Sequence, residues 1–138
     1  MMKTAIKNRR HSRKRTGAAV VEFAVCLPVI ILIVLGSIEA ASLLFLRQAL
    51  IQSAYEGAKV AIRNEGNEAD AISAVNAVAA GRRLSGVNVT FTPSDISSAA
   101  AGEMIRVTVS APGDANSFIP FGPFQGQTVS AEAVMVKE

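Results

Sequence analysis

The residues best placed to do chemistry in this chain stand in one short stretch, Arg15-Thr16-Gly17-Ala18-Ala19-Val20-Val21-Glu22-Phe23. Glu22 is a single carboxylate between a basic tail and a long apolar run. A carboxylate at the start of a membrane segment is costly to desolvate, so its presence there points to a function. Gly17 precedes it by five residues, at a point where a leader could be removed. The plain alternative is an interfacial carboxylate at a helix N-terminus, favoured by the dipole; the company of Gly17 and Phe23 favours processing. Enzyme chemistry finds no support. His11 is the only histidine and falls in the basic tail, and Cys26 is the only cysteine. The chain offers no His/Cys/Asp metal cluster, no nucleophile elbow and no phosphate-binding glycine loop, so neither a metal nor a cofactor is expected.

The elements that must carry Glu22 begin with the apolar run. Phe23–Ile38 contains no charge in 16 residues, roughly 24 Å of helix against a hydrocarbon core of about 30 Å. Ala18–Val21 on one side and Ala40–Leu46 on the other lengthen it enough to span, with Glu22 and Glu39 near the two interfaces. A transmembrane helix is therefore expected over 18–46, with Pro28 inside it as a tolerated kink. Seven of the 14 Lys/Arg lie in the first 17 residues with no acid, and all 11 Asp/Glu follow, so residues 18–138 carry a net charge of −4. That asymmetry places residues 1–17, a basic leader, in the cytoplasm and the C-terminal part outside it. A membrane-orientation signal explains the tail without a nucleic-acid partner. Cys26, with no second cysteine to pair with, reads as a small membrane-embedded apolar residue.

Beyond the span the helix is expected to continue over 47–63. Leu43, Leu46, Leu50, Ala54, Ala58 and Ala61 recur at helical spacing, beside a polar stripe of Gln48, Gln52, Glu56, Lys59 and Arg63. Gly57 is the one weak point. Gly66 suits a C-terminal cap and Asn67 an N-cap, and a second helix is expected over Glu68–Arg83. Ala69, Ile72, Val75 and Ala79 form its apolar edge, and Arg82 and Arg83 read as charges that complement its dipole in preference to an anion site. The period then changes to two. Val87, Val89 and Phe91 make one strand face, Ile105, Val107, Val109 and Ala111 a second, and Val129, Ala131, Ala133 and Met135 a third. Pro93–Gly102 reads as a Ser/Ala loop. The fold class is α+β: a long N-terminal helix, a second helix and a small antiparallel sheet of about three strands in an extracytoplasmic domain over 64–138. With so few residues and no disulfide, partner subunits or the stem helix are expected to cover part of its apolar surface.

Three segments together are similar to the TadE-like pseudopilins of the tight-adherence (Tad/Flp, type IVb) pilus system. They are Gly17-Ala18-Ala19-Val20-Val21-Glu22-Phe23, the early proline in Leu27-Pro28, and Ile38-Glu39 followed by Leu46-Arg47-Gln48-Ala49-Leu50 and Ala54-Tyr55-Glu56-Gly57-Ala58-Lys59. The resemblance covers roughly residues 15–63. It implies that a prepilin peptidase cuts after Gly17, making Ala18 the first residue of the mature chain and Glu22 its fifth. Glycine suits such a cut because it readily takes an extended, unwound conformation. The new α-amino group would lie one helical turn from Glu22, and a charge pair is easier to hold in low dielectric than a lone carboxylate. The resemblance further implies a pilus-assembly role with the membrane, the prepilin peptidase, the Tad assembly machinery and other pilin-like or TadE-like subunits as partners.

Several positions keep two readings. Glu39 marks the outer interface, or pairs with Arg47 or another subunit. The Leu43–Ala61 stripe packs on this chain's own sheet, or on neighbouring pilin-like helices. Phe118, Phe121 and Phe124 fold over the open edge of the sheet, which is the preferred reading, or form an exposed contact loop. The rival to the pseudopilin is an uncleaved single-pass envelope protein whose outer domain binds a protein or glycan; it has no need of the Gly17/Glu22 spacing.

Overall fold

A computed structural model describes residues 14–119 and 126–138. The chain divides into two compact units, residues 1–35 and 36–138. Its elements are α1 (Lys14–Ala61), α2 (Glu68–Gly81), β1 (Asn88–Thr92), β2 (Met104–Pro112), a 3-10 turn η1 (Asp114–Asn116) and β3 (Thr128–Val136). The fold is α+β.

Helix α1 has 48 residues and contains Pro28. Pro28 lacks the N–H that would bond the Ala24 carbonyl, a loss a helix in an apolar setting tolerates. The first unit holds the α1 residues up to Leu35, and every side chain described there is exposed. Exposure continues to Ile38 and stops at Glu39, the first buried residue of α1. Among the described residues this is one helix long and apolar enough to cross a membrane, with a mean hydropathy of 2.9 in its most apolar window.

The second unit is built round one apolar cluster. Leu46, Leu50, Ala54, Ala58 and Ala61 of α1 meet Ala71 and Val75 of α2, Ile96 of the loop before β2, and Ile105, Val107, Val109 and Ala111 of β2. The 3.6-residue repeat puts the α1 members on one stripe. Two serines share that stripe and are satisfied locally: Ser42 Oγ donates to the Ile38 carbonyl and Ser53 Oγ to the Ala49 carbonyl, both at 2.9 Å. The sheet is antiparallel in the order β1-β2-β3, with Phe91 opposite Val107 and Val107 opposite Ala133. Central strand β2 buries the whole of its apolar face, while Arg106, Thr108 and Ser110 turn away. The outer strands show the same alternation at half burial.

Four local expectations change. Helix α2 ends at Gly81 rather than Arg83. Arg83 takes φ 56°, with Arg83 N–H bonded to the Ala80 carbonyl and Leu84 N–H to the Ala79 carbonyl. This is a Schellman ending with arginine at the position glycine usually fills, at a cost of about 1–2 kcal/mol. The buried edge of α2 is Ala71, Val75 and Ala79, and Ala69 is exposed. Gly66 is not left-handed; a Cβ there would collide with the Val60 and Ala61 carbonyls, so close approach is what requires glycine. Asn67 does cap α2, its Oδ1 accepting the Asp70 N–H at 2.8 Å.

Ile96 is the fourth change, an apolar residue of the Ser/Ala loop that is fully buried. Asp95 makes the turn that inserts it, accepting bonds from the Ser97 N–H, the Ser97 hydroxyl and the Ser98 N–H. Hydrogen bonding from Ser97 and then Ser98, side chains first and backbone N–H groups after, holds the Asp95 carboxyl below its ordinary value. At the far end of β3, buried Lys137 donates to the Ile96 carbonyl at 2.5 Å.

Gly57 is a point of contact rather than of weakness. A Cβ there would lie 2.5 Å from Cγ2 of Val75 and 3.5 Å from Cγ1 of Val107. Alanine would add up to about 1 kcal/mol of helix propensity, but overpacking against a stiff, fully buried valine costs about 1–3 kcal/mol. Gly57→Ala should therefore lower the thermal midpoint of the second unit, measured by circular dichroism on the detergent-solubilised chain. A raised midpoint would contradict this contact.

Candidate processing and assembly site

In the first unit, Gly17, Ala18, Glu22 and Phe23 all stand exposed on α1. Gly17 is helical, and no atom outside its own helix lies within 4 Å of where its Cβ would be. Gly17 is thus open on its surface while its backbone belongs to the first turn of α1. Glu22 lies four residues after Ala18, about 6 Å further along the axis. Val20, Val21 and Phe23 around it are 61–67% exposed, so the carboxylate sits on an apolar surface. Pro28 is likewise exposed. Residues 1–13, which carry five of the seven basic residues of the leader, lie outside the described residues.

In the second unit, Leu46, Leu50, Ala54 and Ala58 all face the apolar cluster. Leu43 is half-buried beside Gly113 of the turn after β2. The stripe thus packs within its own chain. The polar stripe faces away from the core, with Lys59 3.3 Å from Glu56. So exposed a pair is worth only a few tenths of a kcal/mol.

Glu39 does not pair with Arg47, one of the partners the sequence offered. It is 4% exposed. Its Oε2 accepts a 2.5 Å bond from the Ser117 hydroxyl, which in turn accepts the Ile119 N–H at 3.0 Å. A buried carboxylate needs such a donor because burial strips its water. The bond ties the loop after η1 to the stem next to Phe118. Phe118 is itself 81% exposed, which corrects the expectation that it covers the sheet edge. Phe121 and Phe124 lie outside the described residues. Ser117→Ala leaves the carboxylate without its donor and should cost about 1–3 kcal/mol in unfolding. Glu39→Gln, whose amide oxygen still accepts, should cost less. Equal losses in thermal melts would contradict the bond.

Asn116 was not legible as a structural residue in the sequence. Its Oδ1 accepts the Ser85 N–H at 2.8 Å, and its Nδ2 donates to the Ser85 and Pro112 carbonyls at 2.9 and 2.8 Å. It locks the segment after α2 to the turn after β2. Arg82, expected only to complement the end of α2, reaches α1: its Nη2 donates to Gln52 Oε1 at 2.6 Å, and its guanidinium carbon lies 5.7 Å from the Phe45 ring centroid. No group of three or more His, Cys, Asp or Glu among the described residues is placed to hold a metal ion.

The first unit thus presents an exposed apolar helical segment with one carboxylate, and the second is a small folded α+β unit. Comparison with curated proteins and with solved structures returned no significant match. The family model of TadE-like proteins matches residues 17–59. That match begins at Gly17, takes in Glu22, Pro28 and Glu39, and ends in the buried stripe. Over those residues the chain is similar to TadE-like proteins.

Proposed function

We propose that the protein is a pseudopilin-like subunit in assembly of a tight-adherence type IVb pilus. It is inserted with its basic leader in the cytoplasm and its second unit outside, and a prepilin peptidase cuts it after Gly17. The observation that carries this reading is the coincidence at the start of α1: an open Gly17, then Glu22 as the lone carboxylate of the exposed apolar segment over residues 17–38, which falls within a TadE-like match. The exposed segment supplies a surface for bilayer first and for neighbouring pilin-like or TadE-like helices afterwards. The leader's positive charge fixes orientation, and its removal lowers the cost of leaving the bilayer, a step driven by the assembly machinery.

The test is genetic. In a cell carrying the Tad machinery, loss of this chain should abolish pilin in the sheared surface fraction, and the wild-type chain should restore it. Pilin at unchanged levels without the chain would overturn the proposal.

A further inference from the structure

The surface beside Glu39 and Ser117 combines features that the assembly role does not use. A groove of about 320 Å³ is walled by Arg82, Arg83 and Leu84 on one side and by Asn116, Ser117 and Phe118 on the other. It adjoins an almost wholly apolar hollow formed by Ile38, Ala41, Ser42, Phe45 and Phe118. Ser42, Phe45 and Phe118 line both. Polar and apolar halves thus meet along one continuous surface. Its large apolar members are open: Phe118 is 81%, Phe45 50% and Ile38 43% exposed.

The charge at the polar end is uncompensated. The ion pairs among the described residues are Lys59–Glu56 and Arg106–Glu132, and neither arginine of the groove takes part. Arg82 bonds only the neutral Gln52 amide. Arg83 is held in the left-handed region by the α2 ending, a conformation maintained at some cost. The walls are preformed, because Asn116 and the Glu39–Ser117 bond clamp them together. Ile38 ends the uncharged run Phe23–Ile38 and lines the hollow itself, so the surface begins where the apolar span ends.

We propose that this surface docks on the bilayer that holds the span and takes an anionic phospholipid. Arg82 and Arg83 meet its phosphodiester, and Phe118, Phe45 and Ile38 meet the glycerol and upper acyl region. Guanidinium groups suit phosphate oxygens, and exposed apolar side chains such as Phe and Leu bury at the headgroup–acyl boundary. Clustered arginines near an anionic leaflet each add about 1 kcal/mol of attraction, roughly fivefold in occupancy. Docking would hold the head against the membrane until the subunit is taken up. It requires the span to lie in a bilayer and is independent of cleavage after Gly17.

The chain contains no tryptophan, so Phe118→Trp introduces a single reporter at an exposed site. The full chain carrying it is reconstituted in vesicles of phosphatidylcholine alone or mixed with anionic phosphatidylglycerol, with lipids brominated at defined depths. Blue-shifted emission, quenched by shallow bromines and strengthened by the anionic lipid, is expected. Adding Arg83→Gln, which removes a side chain with no bond to the fold, should reduce docking about fivefold, and Arg83→Lys should restore much of it. Water-like emission quenched by acrylamide in both vesicles would overturn the proposal. So would shielding that rises with the protein-to-lipid ratio, which would mark a second copy as the occupant. A separate Phe23→Trp chain reports on the span: lipid quenching there with none at Phe118 defeats the docking surface alone, and none at either site defeats the membrane reading as well.

Discussion

With leucine in place of Gly17, the chain should keep its unprocessed mass in cells that contain active prepilin peptidase. Gly17 lies within α1, so the bond after it must leave helical geometry before it enters a cleft that reads extended backbone. Glycine weakens a helix by about 1 kcal/mol relative to alanine and places no side chain against the enzyme. Leucine removes both advantages. Alanine separates them: Gly17→Ala costs only the unwinding, and a change of about 1 kcal/mol predicts cleavage slowed roughly fivefold. Gly17→Leu adds bulk and should block the cut altogether. Time courses of leader loss by mass spectrometry would show the series. Equal rates for all three chains would mean that Gly17 is not the recognised residue.

Glu22→Leu should have the opposite signature, with processing intact and assembly lost. Glu22 stands four residues after Ala18, outside the proposed scissile bond, yet one helical turn from the amino group that cleavage would create. On a surface of exposed valine and phenylalanine, a new ammonium has no other carboxylate close to it in sequence. Breaking a pair of charges held away from water costs about 3–5 kcal/mol, so at least a tenfold fall in co-purification with pilin-like partners is expected. Glu22→Asp keeps the charge at shorter reach and should retain part of the yield. Wild-type recovery of a processed Glu22→Leu chain would show that the carboxylate is an interfacial residue only.

The parts of the fold legible in the sequence are those set by short repeats. Alternation in 105–111 yields the buried face of β2 because each strand residue reverses direction, and the repeat from Leu46 to Ala61 yields the buried side of α1. Asn67 was readable as a cap because its bond closes within three residues. Features that depend on distant partners were not readable. Gly57 looked like a flaw in an alanine-rich helix until Val75 and Val107 were placed against it. Ile96 is one apolar residue in a polar loop, without a period to announce it. The candidate site divides the same way: the Gly17–Glu22 spacing is local, whereas Glu39 and Ser117 are 78 residues apart and their bond needs the folded head. In the sequence Arg82 and Arg83 read as helix-end charges, because their groove is assembled from three separate segments.

The central claim is that this chain, which resembles TadE-like proteins over residues 17–59, is matured at Gly17. Intact mass and N-terminal sequencing of the protein from native membranes, with and without the prepilin peptidase, test it most directly. A chain that begins at Ala18 only when the peptidase is present is the expected result. A chain that still carries its basic leader while the peptidase is active would contradict the pseudopilin route and leave a permanently anchored envelope protein in its place.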